Sequence, residues 1–335
     1  MTNATRINRR GLRTRIGSLV LPAVLAAATF AQSPVASGAD VADKAVAHGA
    51  ALVMVVMDPL AKPLSCPCVQ GYAQRDYDKL AAVLEKSLGR KVVVVYSDSL
   101  KAALKRKESG GAADIVIGKQ SVVLADAAAV EVSLAKIAML TGKDGATTQT
   151  GLVVVAKDDP AKTVADLTGY PMYFGPEECD EKHAAALALL KKHGVEPPQS
   201  IETAAACDEG AIKILDLAKD GKPGAAVISS YAKPLLEGCG QVEKGSLRVI
   251  GETEPVPFVA AFVNEKLDDA MRAAVAKAVL ESTSDLTLRI ALETKNGFVA
   301  EAKAAGPATA VQRVRGRAER REERRGAAAE GAKKK

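Results

Sequence analysis

Apolar positions in this chain come in short blocks separated by helical and turn-rich stretches. Residues 51–57 form a continuous apolar run, the signature of a strand buried on both faces. A loop containing Cys66-Pro67-Cys68 follows, and then Tyr77, Leu80, Ala81, Leu84 and Leu88 fall at helical spacing, with Gly89 suited to the helix end. Residues 92–96 predict a second buried strand. Ser97, Asp98 and Ser99 offer caps for a helix through Leu100 and Leu104, and 114–117 predict a third strand. Strands alternating with helices imply crossover connections and a parallel sheet. Two further strands are expected over 134–140 and 151–156, with Gly142-Lys143-Asp144-Gly145 and Thr147-Thr148-Gln149-Thr150 between them. A second alternating unit begins after Pro160. It predicts a strand over 170–174, a helix over 182–192 closed by Gly194, a strand over 201–205, a helix over 211–220 and a strand over 225–228. Residues 247–250 and 258–263 predict strands returning to the first unit, and Asp268 and Asp269 start a helix carrying Met271, Val275 and Leu280. No internal repeat of fixed period is present.

The pattern predicts an α/β protein of two lobes, each a mostly parallel sheet flanked by helices. Lobe 1 is expected from 46–146 and 248–300, and lobe 2 from 147–247. Such lobes aim their strand ends at one cleft, and ligands in open α/β sheets bind beyond the carboxyl ends of the strands.

The two ends of the chain differ from this body. Arg6, Arg9, Arg10, Arg13 and Arg15 precede an apolar stretch over 18–31 and the small residues Ser37 and Ala39. That order predicts a secretory signal over 1–39, cut before Asp40 or earlier, after Ala31. The apolar stretch is short of the roughly 20 residues a spanning helix needs. An exported, periplasmic protein is expected. The tail over 306–335 is rich in Ala, Gly, Arg, Glu and Lys without an apolar face, the composition of a disordered basic segment. Its function as a solvated tail or as an adhesive for anionic surfaces stays open. The positive charge resides in these ends: five Arg without an acid in the signal, and ten Lys or Arg against four Glu over 311–335, give +11 against a whole-chain +6 and leave −5 for the body. The body is therefore acidic, which argues against a nucleic-acid surface. Trp is absent and aromatic residues make up 3% of the chain, so stacking platforms for bases are poorly supplied.

Three segments carry a resemblance. Thr163-Val164-Ala165-Asp166-Leu167-Thr168-Gly169-Tyr170, followed by Phe174-Gly175-Pro176, resembles the second-lobe opening of the phosphate/phosphite/phosphonate solute-binding proteins of ABC importers. The stretch from Leu247 through Gly251-Glu252-Thr253-Glu254-Pro255-Val256-Pro257-Phe258 resembles the return segment of that family, and the helix-Gly-strand pattern over 72–95 also fits. The resemblance implies a type II periplasmic-binding fold. It further implies a monomer that captures a small polar ligand and presents it to an ABC permease in the inner membrane. No enzymatic activity and no cofactor are expected. Two departures bear on the ligand. Where phosphonate binders of the family carry small hydroxyl residues at a helix start, this chain has Glu177-Glu178-Cys179-Asp180-Glu181-Lys182-His183. Four carboxylates there would repel phosphate. Near Ser229 the family often has Asp.

Candidate ligand contacts are Thr147, Thr148 and Gln149 before a crossing strand, and Ser229, Ser230 and Tyr231 after the 225–228 strand. Glu177, Cys179, Asp180 and His183 at the second-lobe helix start join them. Tyr72, Lys119, Gln120 and Ser121 are candidates by position. The cysteines admit two readings. Cys179 and Cys207 could form a disulfide bracing adjacent loops. Alternatively Cys66, Cys68, Cys179 and Cys207 with His183 could hold a soft metal ion such as copper or zinc, in a metal or redox carrier on the same fold. A Cys179–His183 nucleophilic pair lacks a recognisable oxyanion hole.

Overall fold

The computed structural model describes residues 51–65, 73–198 and 201–300. The expected signal and tail, and Cys66, Cys68 and Tyr72, lie outside the described residues, as does the side chain of Cys207.

The first run of elements is β1 (Leu52–Met57), α1 (Tyr77–Leu88), β2 (Val92–Tyr96), α2 (Leu100–Leu104), β3 (Ile115–Lys119), α3 (Gln120–Ala129) and β4 (Leu134–Leu140). The chain continues through β5 (Thr148–Gln149), β6 (Gly151–Ala156), β7 (Met172–Phe174), α4 (Ala184–Lys192), β8 (Glu202–Thr203), α5 (Cys207–Lys219), β9 (Ala225–Ser229) and α6 (Ala232–Gly238). It ends in β10 (Leu247–Glu252), β11 (Val256–Pro257), β12 (Val259–Asn264), α7 (Asp269–Glu281), α8 (Leu286–Ala291) and β13 (Phe298–Val299).

Two sheets form the lobes of one compact unit. The first has the order β13-β4-β12-β3-β1-β2, with β1 parallel to both β2 and β3. All six residues of β1 are buried, and its alternation explains the unbroken apolar run. Leu52, Met54 and Val56 pack with Tyr77, Leu80 and Leu84 of α1, whereas Val53, Val55 and Met57 face Leu100, Ala103 and Val123. Helices therefore cover both faces of the sheet.

The second sheet has the order β10-β6-β9-β7-β8. Strands β7, β8 and β9 are parallel, and β6 runs antiparallel to both β9 and β10. Val153, Val155, Phe174 and Leu190 fill one face, and Val154, Ile214 and Ile228 the other. The chain crosses between lobes twice, and the two crossings pair antiparallel as β5 and β11. No helix among the described residues is long and apolar enough to cross a membrane.

Several expected elements change. Leu247–Glu252 belongs to the second sheet, not the first: it pairs along β6, and Leu247 packs in a second-lobe cluster. Only β12 and β13 return to the first sheet. The strand expected at 170 starts at Met172, because Gly169 turns the chain at φ +79 and Pro171 intervenes. The strand over 201–205 shrinks to the exposed edge pair Glu202–Thr203. The helix expected from 182 starts at Ala184, and the one from 211 starts at Cys207, which is therefore helical rather than in a loop.

Candidate functional site

Strands β1, β3, β7 and β9 all end at the gap between the lobes. A cavity of about 840 Å³ opens there, lined by Met57, Ser97 and Lys119 from the first lobe and by Pro176, Cys179, Lys182 and Tyr231 from the second. A second cavity, of about 790 Å³, is lined by second-lobe residues alone, between Ala156 and Ser246. It touches none of the strand ends that face the gap.

Behind the first-lobe wall lies a buried polar cluster. Asp58 follows β1 and is 0% exposed. Its carboxylate accepts from Arg75 Nη1 at 2.8 Å, from the Tyr77 hydroxyl at 2.5 Å and from the Leu60 N–H at 2.9 Å. Burial works to lower the Arg75 pKa, but Asp58 and Tyr77 raise it further, so the guanidinium stays charged. Burial and the adjacent Asp58 carboxylate push the Tyr77 phenol well above its ordinary value. The Arg75 guanidinium lies 5.4 Å from the Phe258 ring centroid, and Tyr231 stacks on the same ring at 5.3 Å. One aromatic residue beside the crossing strands thus links a first-lobe cation to a second-lobe cavity wall.

A second buried cluster crosses the gap. Lys119, the last residue of β3, donates to Glu181 Oε1 at 2.5 Å, and the Ser229 hydroxyl at the end of β9 donates to the same oxygen at 2.6 Å. Burial works to lower the Lys119 pKa, and Glu181 with Cys179 more than offsets it. Among the described residues, Glu181 Oε2 is buried without a hydrogen-bond partner, as are both side-chain amide atoms of Gln149. Ser121 at the start of α3 accepts from the Asp180 N–H at 3.4 Å, a further contact between the lobes.

The predicted residues divide accordingly. Cys179 and Tyr231 line the cavity. Ser229, Asp180 and Ser121 sit in the contacts between the lobes. Thr148 and Gln149 form β5 with Thr147 just before it, so they belong to the crossing strands rather than to the cavity wall. Ser230 turns toward β6, its hydroxyl accepting from the Thr150 N–H at 3.3 Å. Glu177 is exposed. Gln120 is engaged by Lys136 at 3.1 Å.

The cysteine readings change too. Cys179 stands as a free thiol, and the side chain of its candidate partner Cys207 lies outside the described residues. Burial raises the Cys179 pKa, partly countered by Lys119 and Lys182. His183 Nδ1 hydrogen-bonds the Gly175 carbonyl at 2.9 Å, and its ring tilts against Phe174. Among the described residues no three His, Cys, Asp or Glu side chains group as metal ligands. The metal and redox reading has no support, because the one described thiol of the set stands beside two ammonium groups instead of further ligands.

Sequence reasoning left out Asp58 and Arg75, and named Glu181 and Lys182 only as part of an acidic run. The available signal was an acid directly after an all-apolar strand, since buried carboxylates must be paired.

The sequence signature of a family described as ABC transporter, phosphonate, periplasmic substrate-binding protein matches residues 70–304. No curated protein matches the chain. A binding-protein component of an ABC phosphonate transporter from Pseudomonas aeruginosa is similar in structure, with TM-score 0.55 and 12% identity, covering 75% of this chain and 81% of that one. A protein from Prochlorococcus marinus in complex with methylphosphonate gives TM-score 0.54 and 12% identity over 76% and 93%. A protein from Xanthomonas citri bound to ATP gives 0.53 and 15% over 79% and 94%. At these identities the likeness establishes the two-lobe fold.

Proposed function

The chain belongs to the periplasmic substrate-binding proteins of phosphonate ABC transporters, and on that premise we propose that it captures a small polar solute between its lobes and delivers it to an ABC permease. The observation that carries this is the cavity of about 840 Å³ walled by strand ends of both sheets. A solute held there contacts both lobes at once, so its binding energy favours the closed arrangement that a permease reads. The paired crossings β5 and β11 supply a narrow connection about which two otherwise separate sheets can rotate.

The Tyr231 ring borders the cavity, and Ser97 and Ser99 line it with hydroxyls engaged by the Ser99 carbonyl and the Ala102 N–H. The Tyr231 ring is held by stacking on Phe258, so its position is set before solute arrives. The protein acts as an exported monomer, its leading 39 residues removed, and takes no part in nucleic-acid binding or catalysis. The acidic body and the resemblance of 163–176 and 247–258 to solute-binding proteins support this reading.

The test is small-angle scattering and thermal melting of the mature chain against oxyanions, organic acids and small organic cations. A true solute lowers the radius of gyration and raises the melting temperature, since ligand at a hundredfold excess over Kd adds about 2.7 kcal/mol to stability. Tyr231→Ala weakens that same response. A shape and a melting point insensitive to every class of solute overturn the reading.

A further inference from the structure

Two lysines reach the cavity between the lobes, and they stand in opposite states. Lys119 is engaged: its ammonium and the Ser229 hydroxyl, one from the strand end of each lobe, converge on a single oxygen of Glu181. That is the position from which an anionic solute would bridge the lobes, yet the occupant is a carboxylate of the chain itself. The placement is built into the backbone. A Cβ on Gly151 would lie 2.0 Å from the Glu181 carbonyl oxygen, so only glycine lets the 176–183 segment approach this closely. Glu181 is 0% exposed.

Lys182 is 4% exposed, and among the described residues its ammonium has one hydrogen-bond partner, the Ala205 carbonyl at 3.4 Å. Its stem lies over Gly175, where a Cβ would come within 2.5 Å. An ammonium has three donors, and leaving them unfilled in a buried setting is costly. Lys182 is thus held in the cavity with donors to spare. The walls nearby are largely apolar, with Leu60, Leu64, Pro176, Leu235 and Leu236. Glu178, Asp98 and Asp208 also border the cavity, against Arg106, Lys119 and Lys182, and Glu181 already engages Lys119, so the carboxylates outnumber the cations and a second negative charge on a solute would meet repulsion.

We propose that Glu181 is a built-in anion filling the seat between Lys119 and Ser229. The cleft accordingly selects a monoanionic organic acid, its carboxylate on Lys182 and its apolar body on the leucine wall, over a phosphoryl dianion. This selection rule rests on the reading of the cleft as the solute site.

Isothermal titration of the full mature chain with hexanoate, hexanesulfonate, methylphosphonate and hexylamine tests it. Hexanoate is expected to bind at least tenfold tighter than methylphosphonate, a comparison that needs no variant. Lys182→Met, whose side chain preserves the stem, loses hexanoate affinity at least tenfold while its melting curve stays cooperative. Glu181→Ser empties the seat and gains at least tenfold affinity for methylphosphonate. Wild-type protein that prefers methylphosphonate or hexylamine, or Lys182→Met that binds hexanoate undiminished, overturns the selection rule and leaves the solute-binding reading standing. Preference for hexanesulfonate over hexanoate overturns the carboxylate assignment. Silence toward all four probes, with a radius of gyration that responds to nothing, overturns the rule together with the reading beneath it.

Discussion

Two buried ion pairs lie close to the cleft, and they are built for different tasks. Arg75–Asp58 lies within the first lobe at 2.8 Å, both side chains nearly inaccessible, and both Asp58 oxygens are satisfied. Lys119–Glu181 is equally buried but joins the lobes, and one oxygen of its carboxylate has no hydrogen-bond partner among the described residues. A pair inside one lobe stays buried whatever the hinge does. A pair across the gap returns to water when the lobes part, so losing one member leaves the other able to hydrate. On the proposed hinge motion, the first pair would be scaffold and the second would be made and broken with closure. Buried pairs contribute little net stability in general, but removing one partner exposes the cost of the charge left behind.

The sharpest way to break this comparison is to remove one partner from each pair. Asp58→Ala is expected to lower unfolding free energy by about 3–5 kcal/mol, since Arg75 cannot reach water without unfolding. Urea titration measures it, and a loss below about 1 kcal/mol would remove the scaffold role. Gly151→Ala comes next, at about 1–3 kcal/mol from overpacking against the Glu181 backbone. Lys119→Met should cost under about 2 kcal/mol, less than the 3–5 of a locked pair, because Glu181 escapes by lobe opening. Its main signature is a larger radius of gyration in scattering. Equal stability losses for Lys119→Met and Asp58→Ala would erase the distinction.

Alkaline titration sharpens the scaffold side. Tyr77 holds its proton more tightly folded than unfolded, because of burial and Asp58. Its contribution is therefore complete below about pH 10, the ordinary phenol value, and is lost as pH rises above it. Tyr77→Phe should flatten that alkaline slope and cost about 1 kcal/mol at neutral pH. The smallest effect is a rate. Burial raises the Cys179 thiol, so alkylation at neutral pH should be slow, and it should quicken in Lys119→Met as the cleft opens. Peptide mapping by mass spectrometry reads this residue separately from the other cysteines.

Much of the fold was legible because its signals are local. The run over 51–57 became β1, buried throughout, and the spacing of Tyr77, Leu80 and Leu84 became the core face of α1. Asp268 caps α7 as its position suggested, accepting from the Met271 N–H. Strand partnership was less legible. Leu247–Glu252 carries the same apolar character whichever sheet receives it, and only its register with β6 assigns it to the second lobe. Of the candidate residues, Ser229, Asp180, Cys179, Tyr231 and Lys119 stand at the gap, but Lys182 was named only within an acidic run and Lys119 by position alone. A lysine within reach of the cleft looks in sequence like any surface lysine.

Alternation of apolar blocks with helical spacing determines, from the chain alone, two α/β lobes whose strand ends share a gap. That follows because burial on both faces of a sheet imposes a pattern within each element. The meeting of Lys119 with Glu181, 62 residues apart and on different lobes, was decided only in three dimensions. Its geometry depends on how two separately patterned sheets come together, and no periodicity inside either one encodes that distance.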